Sequence, residues 1–220
     1  MHVTVIAKAP VAGQVKTRLC PPCTAEQAAR VAGAALFDSL MAVEAVADLT
    51  GARRVLLLDG EPQSWMPATF DVVAQRGDGL EERLRNGFQD LGPGVIVGME
   101  TPHVGAALAD AIAAAHRGVD TIGLATDGGY WMIGLCAASV DLAHDLFDGV
   151  PMSVSHTGLS QLRRLHLHGR RVRLLPTARD LDTHADLVAV AESGRSGRLA
   201  AVAAAVLAEA RVAEARVTAL

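Results

Sequence analysis

The feature that most constrains this chain is an alternation of short, almost continuously apolar runs with segments of helical length. The runs are HVTVI (2–6), RRVLLL (53–58), FDVVAQ (70–75), GVIVGM (94–99), DTIGLA (120–125), YWMIGL (130–135) and RRVRLL (170–175). Strands that are apolar on both sides must be covered on both sides, and alternation with helices makes a mostly parallel sheet the expected solution. Helical patterning is expected over about 24–48, 79–89, 104–116, 139–147, 157–168 and 183–192. Thr24 is the expected N-cap of the first of these, with Gln27 three residues on to complete a capping box. The chain therefore reads as an α/β protein, a three-layer α/β/α sandwich around a mostly parallel central sheet. In such a sheet the ligand crevice lies beyond the carboxyl ends of the strands.

At 220 residues, one domain with a large core is the simplest partition. Half the residues are apolar but only 3% are aromatic, so that core must be built mainly from Ala, Val, Leu and Ile. A net charge of −4 removes any general attraction to nucleic acid, so cationic clusters read as local sites. No apolar stretch reaches the roughly 18 residues of a membrane span, and the start MHVTVIAKAP has no basic leader. A cytoplasmic enzyme or binding protein is expected. Residues 1–193 form the expected domain, while 194–220 open with a Gly/Ser hinge and continue as an Ala-rich helix. That helix is expected to cover the domain, with a homodimer contact as its other use. Cys20 and Cys23 form CPPC, which lacks the second ligand pair a zinc site needs. It reads as a proline-stiffened loop, with a redox dithiol as the alternative.

The stretch AKAPVAGQVKTRL (7–19) follows the first strand and brings Lys8, Lys16 and Arg18 to one loop. Small residues around Gly13 leave backbone N–H groups approachable, which suits a polyphosphate. The stretch is not a Walker loop, because two residues separate Gly13 from Lys16. Glu100 lies just past one expected strand and Asp127 just past the next, so both acids are expected at the same carboxyl edge. A hard divalent cation bound to phosphate takes only one or two protein carboxylates, a role that fits Glu100 and Asp127. Gly128 and Gly129 would turn the chain beside the ligand, with Tyr130 at the same edge and Trp131 packing into its strand. His103 reads as a solvated loop histidine near the proposed metal. His156 reads as a cap for the helix beginning near Thr157, with general-base or phosphate contact as the alternative.

AKAPVAGQVKTRL, GDGLEERL (77–84), VGMETP, ATDGGYWMIGL and DLDTHADL (180–187), in this order, resemble the bacterial DUF2064 proteins, often labelled rSAM/selenodomain-associated transferase 1. These belong to the glycosyltransferase-A (GT-A) superfamily, whose relatives include molybdenum-cofactor and phospholactate guanylyltransferases. The resemblance covers about residues 3–190, and its first and fourth motifs are the specific ones. It implies a nucleotide-diphospho-sugar transferase fold that uses a nucleotide-activated donor, a small-molecule acceptor and Mg²⁺ or Mn²⁺. Carried over by position, Lys8, Gly13, Lys16 and Arg18 would hold phosphates. Asp78 and Arg83 would shape the nucleotide and acceptor pocket. Asp127 would lie at the acceptor or metal side; apart from the resemblance, Gly128, Gly129, Tyr130 and His156 are expected on the acceptor side. One departure is that Met99 and Glu100 stand where family members carry a hydroxyl residue and an aspartate.

Three activities fit these residues. A glycosyltransferase would stabilise a departing nucleoside diphosphate while an acid such as Asp127 takes the acceptor's proton. A nucleotidyltransferase would use the same cations on a triphosphate, releasing pyrophosphate. A binding protein would hold a nucleotide or sugar phosphate without turnover. Glycosyl transfer is the leading expectation.

Overall fold

The computed structural model describes residues 1–101, 104–194 and 196–218, and of 213–218 the backbone only. All seven apolar runs become strands of a single sheet: β1 (His2–Lys8), β2 (Arg53–Asp59), β3 (Asp71–Ala74), β4 (Gly94–Gly98), β5 (Asp120–Ala125), β6 (Tyr130–Leu135) and β7 (Val172–Ala178). Their spatial order is β3-β2-β1-β4-β6-β5-β7. Every pairing is parallel except the two made by β6, which runs against β4 and β5. A continuous apolar run carries no direction, so the sequence could not reveal this reversal. Its effect is local but important, since the start of β6, not its end, reaches the carboxyl edge.

The long helix α1 (Ala25–Thr50) begins with the expected capping box. Thr24 Oγ1 accepts from the Gln27 N–H at 3.2 Å, and Gln27 Oε1 accepts from the Thr24 N–H at 2.8 Å. Gly51, at φ 70°, ends it in the left-handed conformation that glycine adopts most cheaply. The face of α1 carrying Leu36, Leu40 and Val43 packs with Val3, Val5, Leu56 and Val97 of the sheet and with Leu108 and Ile112 of α3 (Gly105–His116). The opposite face of the sheet is covered by α2 (Leu80–Leu91), by the short α4 (Ala137–Val140) and α5 (Ala143–Phe147), and by α6 (Thr157–Leu167). Phe88 and Phe147 meet there in a stack with centroids 5.9 Å apart, both fully buried. Truncating either to Ala would cost about 3–5 kcal/mol.

Residues 139–147, expected as one helix, are instead α4 and α5. The reason is two anchors with different demands. Asp120 holds the start of α4 by accepting from Cys136 N and Ser139 Oγ, while Ala143, Leu146 and Phe147 are drawn into the core beneath α2. Beyond β7, α7 (His184–Glu192) starts with a second capping box, Thr183 with Asp186. Helix α8 (Arg198–Thr218) lies against α1 and α7, where Leu199, Ala203 and Val206 are buried with Val31 and Leu187. Its first N–H groups, those of Arg198 and Leu199, donate to Asp38 of α1. No described helix is long and apolar enough to cross a membrane.

Candidate active site

Between β1 and β4 the connections part: β1 leads outward through α1 to β2, while β4 leads the other way through α3 to β5. A crevice forms where neighbouring crossovers diverge in this way. Here it is a cavity of about 640 Å³ at the carboxyl edge, lined by the ends of β1 and β4, the start of β6, the first turn of α2 and the loop before α6. Charge divides it. On the β1 and α2 side stand Lys8 and Arg83; on the β4 and β7 side stand Glu100, Asp127, Asp180 and Asp182, with Arg18 paired to Asp182.

The cationic wall is firmly supported. Arg83 donates to Asp59 at 2.7 Å, to Gln75 Oε1 at 3.0 Å and to the Gly77 carbonyl at 3.3 Å. Gln75 in turn donates to the carbonyls of Ala7 and Leu57, tying the ends of β1 and β2 together beneath the guanidinium. Lys8, the last residue of β1, is exposed into the cavity, and Arg18 is largely solvent-facing. Gly13 and Asp78 lie outside the lining, and Asp78 contributes only a backbone N–H to Glu82.

Lys16 behaves differently from its neighbours. Its side chain is only 4% exposed, and its ammonium meets Glu100, the Leu181 carbonyl and Asp182 Oδ1, the last at 3.0 Å. Asp182 also accepts from Arg18 at 3.2 Å. Lys16 adopts φ 49°, ψ 36°, a left-handed conformation rare outside glycine. A charge expected to face phosphate is thus turned toward carboxylates.

The acidic wall holds more than the sequence suggested. Asp180 and Asp182 follow β7 in the segment DLDT, which looked like an ordinary helix entry. An acid one or two residues past an expected strand end is the signal that picked out Glu100 and Asp127; it did not reach Asp180 and Asp182 because the apolar run ends at Leu175 while β7 continues to Ala178. Asp180 Oδ1 is buried without a hydrogen-bond partner. Its pKa is pushed up to about 7 by burial, then by the charges of Glu100, Asp127 and Asp182, with Lys16 opposing. Burial likewise pushes the Glu100 carboxyl up, with Lys16 opposing and Asp182 reinforcing. Thr101 Oγ1, also at this wall, is buried and unpartnered. Among the described residues, no three such side chains are gathered as they would be around a metal ion. Pro102 and His103 lie outside the described residues.

Asp127 sits in the turn from β5 to β6, exposed, with Oδ1 accepting from the Gly129 N–H at 2.8 Å. Gly128 has φ 93°, and a Cβ there would stand 1.8 Å from the Ser155 carbonyl oxygen. The Gly158 N–H donates to the Gly128 carbonyl at 2.8 Å, so this turn and the loop entering α6 are fastened together. Gly129 and Tyr130 line the cavity, whereas Gly128 and His156 do not. His156 occupies the N-cap position of α6 without a side-chain cap bond. Thr157 instead ties the preceding loop, its one hydroxyl proton shared between the Pro151 and Val154 carbonyls and its oxygen accepting from Val154 N. Burial and the nearby Glu81 carboxylate raise the Tyr130 pKa, which keeps its phenol protonated. Trp131 is buried and donates to the Pro176 carbonyl at 3.1 Å. Met99, in place of the family's hydroxyl residue, is packed in the core, and its carbonyl accepts from Ser39. Cys20 and Cys23 are free; burial, then the neighbouring Cys20, raises the Cys23 pKa, the opposite of what a reactive thiol needs.

Fold and site together place the protein in a recognisable class. A crystal structure from Desulfovibrio desulfuricans G20, provisionally assigned as a nucleotide-diphospho-sugar transferase, superposes with a TM-score of 0.83 over 96% of this chain and 98% of that chain, at 23% identity. The chain therefore has the nucleotide-diphospho-sugar transferase fold. Two other solved structures are more distant. They are Rv0371c from Mycobacterium tuberculosis H37Rv in complex with manganese (20% identical, TM-score 0.43, 84% of this chain and 95% of that chain) and a CMP:2-keto-3-deoxy-manno-octonic acid synthetase complexed with CTP (12% identical, TM-score 0.46, 86% and 95%). With scores below 0.5 they add nothing about this site. No curated protein matches the chain. Residues 39–154, just over half of it, match the family described as an uncharacterized protein conserved in bacteria (DUF2064), and the chain belongs to that family.

Proposed function

We propose that this protein is a nucleotide-dependent transferase that moves a glycosyl group from a nucleoside-diphosphate sugar to a small-molecule acceptor. The observation that carries this reading is the division of charge across one cavity at the carboxyl edge, with Lys8 and Arg83 on one wall, four acids on the other and Arg18 paired to one of those acids at its mouth. Lys8, Arg18 and Arg83 would hold the donor's diphosphate by charge-assisted hydrogen bonds. The group implied by the fold family, Mg²⁺ or Mn²⁺, fits the opposite wall, where Asp180 leaves a carboxylate oxygen buried and unpartnered. Glu100 and Asp182 would hold it, one or two carboxylates being all that a phosphate-bound ion takes, with Asp180 beside them and Asp127 nearer the acceptor. When bound, the ion would neutralise diphosphate charge as a Lewis acid.

In the transfer step the acceptor hydroxyl oxygen forms a bond to the anomeric carbon. The bond from that carbon to the diphosphate breaks, and its electron pair leaves with the nucleoside diphosphate. The hydroxyl proton passes to the Asp127 carboxylate, which the Gly129 N–H holds in place. Tyr130, kept protonated, offers a neutral hydrogen-bond donor beside it. In this reading residues 1–193 form the transferase domain, and the segment from 194 on is its covering helix.

Three cations lining one cavity also suit a triphosphate, which supports nucleotidyl transfer as the second reading. Calorimetry with nucleotide sugars and nucleoside triphosphates, each with and without Mn²⁺, followed by product analysis, tests both. Metal-dependent binding of a nucleotide sugar with release of nucleoside diphosphate is the expected result. Pyrophosphate release from a triphosphate would replace it with nucleotidyl transfer. Tight metal-independent binding without product would mean a binding protein, and no nucleotide binding would end all three readings.

A further inference from the structure

The ammonium of Lys16 is seated among oxygens only: the Glu100 carboxylate, the Asp182 carboxylate and the Leu181 carbonyl. An ammonium has three protons, and here each has an acceptor. Carboxylate and carbonyl oxygens are equally the donors that a hard divalent cation selects. The neighbouring Asp180 oxygen remains unpartnered, so one ammonium does not satisfy the whole acidic group. Lys16 also does not line the cavity in which Lys8 and Arg18 stand, and it cannot serve a phosphate there without leaving these acids.

The backbone supports such a departure. Lys16 is held in a left-handed conformation, which persists only where surrounding contacts impose it. Residues 11–14 just before it are exposed, and Gly13 has no atom within 4 Å of where a Cβ would stand. Val15 and Leu19 on either side are buried anchors that limit movement to the short segment between.

We propose that Lys16 and a divalent cation compete for the oxygens of Glu100, Leu181 and Asp182, so that the cation enters as Lys16 leaves for the donor's phosphates. This rests on the metal and nucleotide assignment above. Lys16 is the resident counter-ion of the ligand-free protein. Its exchange prevents the acids from being left unpaired at any stage, since an unpaired buried charge is strongly unfavourable. Cation binding and the repositioning of a phosphate ligand are thereby coupled, and by linkage each favours the other.

The test is titration of the nucleotide-free protein with Mn²⁺, with free ion measured by electron paramagnetic resonance. Lys16→Met, which removes the charge and keeps the stem, is expected to bind Mn²⁺ at least tenfold more tightly than the unsubstituted protein. Adding Glu100→Gln to that variant is expected to cancel the gain. Equal or weaker Mn²⁺ binding by folded Lys16→Met, or no binding by either protein, overturns the proposal, and an undiminished gain in the double variant overturns the choice of oxygens. Should Lys16→Met fail to fold, acetylation of Lys16 in the unsubstituted protein gives the same answer. Saturating Mn²⁺ is expected to raise its labelling rate at least fivefold, and an unchanged rate overturns exchange. Failure of the transferase reading has a separate signature: nucleoside diphosphates would then leave Mn²⁺ affinity unchanged in the unsubstituted protein, whatever the variants do.

Discussion

Asp120 and Asp180 stand at opposite edges of the same sheet, one opening β5 and the other just past β7. Asp120 is wholly buried, and both its oxygens are used, accepting from Cys136 N at 2.9 Å, from Ser139 Oγ at 2.6 and 2.8 Å and from Arg170 at 3.3 Å. Asp180 keeps an oxygen with no partner among three other acids. At the amino edge Asp120 and its partners close upon one another and bind the fold, although the Thr121 hydroxyl beside them has no partner. At the carboxyl edge polar groups are left partly open. Buried polar groups in native proteins are nearly always satisfied, so exceptions gathered in a cavity mark a place prepared for something else.

The sharpest way to break this contrast is Asp120→Ala. It strands the Arg170 guanidinium and two further donors, Cys136 N–H and the Ser139 hydroxyl, at once, and should cost about 3–5 kcal/mol, read from urea denaturation. Nucleotide affinity of the folded fraction should not change.

The amino edge offers a second test through His2. Its Nε2 donates to the Gly92 carbonyl at 3.1 Å, so its Nδ1 accepts from the Thr4 hydroxyl at 2.7 Å, leaving the ring neutral. Burial, opposed by the Gly92 bond and assisted by the chain amino group and Arg53, lowers its pKa to about 4. A lowered folded-state pKa means the unfolded chain binds the proton more readily. The stabilisation is therefore full above about pH 6.5 and is lost as pH falls toward 4, up to about 3 kcal/mol. Nitrogen-detected NMR of the imidazole should show the neutral Nε2–H form at pH 5.5; a protonated ring there would refute the assignment.

Across the sheet the effects should move from stability to binding. Arg83→Ala should weaken binding of the donor nucleotide by about 1–3 kcal/mol in calorimetry, the scale of a lost charge-assisted hydrogen bond, with little change in folding. The smallest expected change is in Asp180→Asn. Removing one charge from a repelling group should leave stability unchanged or raise it by up to about 1 kcal/mol. A large loss would make Asp180 a structural residue like Asp120, and the contrast would fail.

How much of this was visible beforehand depends on what each residue answers to. The strands and the Thr24 capping box are local patterns, and all are present. Lys8, Arg18, Glu100 and Asp127 were found because strand ends in such a sheet converge, Arg83 through the family resemblance, and they line one cavity. Asp180 and Asp182 were missed because their importance comes from β7 lying beside β5, a pairing of distant segments. Lys16 was placed in the right region but facing the wrong partners, since charge type does not reveal whether a side chain turns toward a cavity or beneath it. The capping expected of His156 is absent, and the Thr157 hydroxyl beside it ties the loop carbonyls instead.

The fastening of Gly128 to the Ser155–Gly158 segment has a consequence for anyone who would redesign this protein. The two segments are distant in sequence yet cannot be exchanged one at a time, because a replacement for either must still interlock with the other. They are inherited as a matched pair, and altering what the protein accepts would mean transplanting both together.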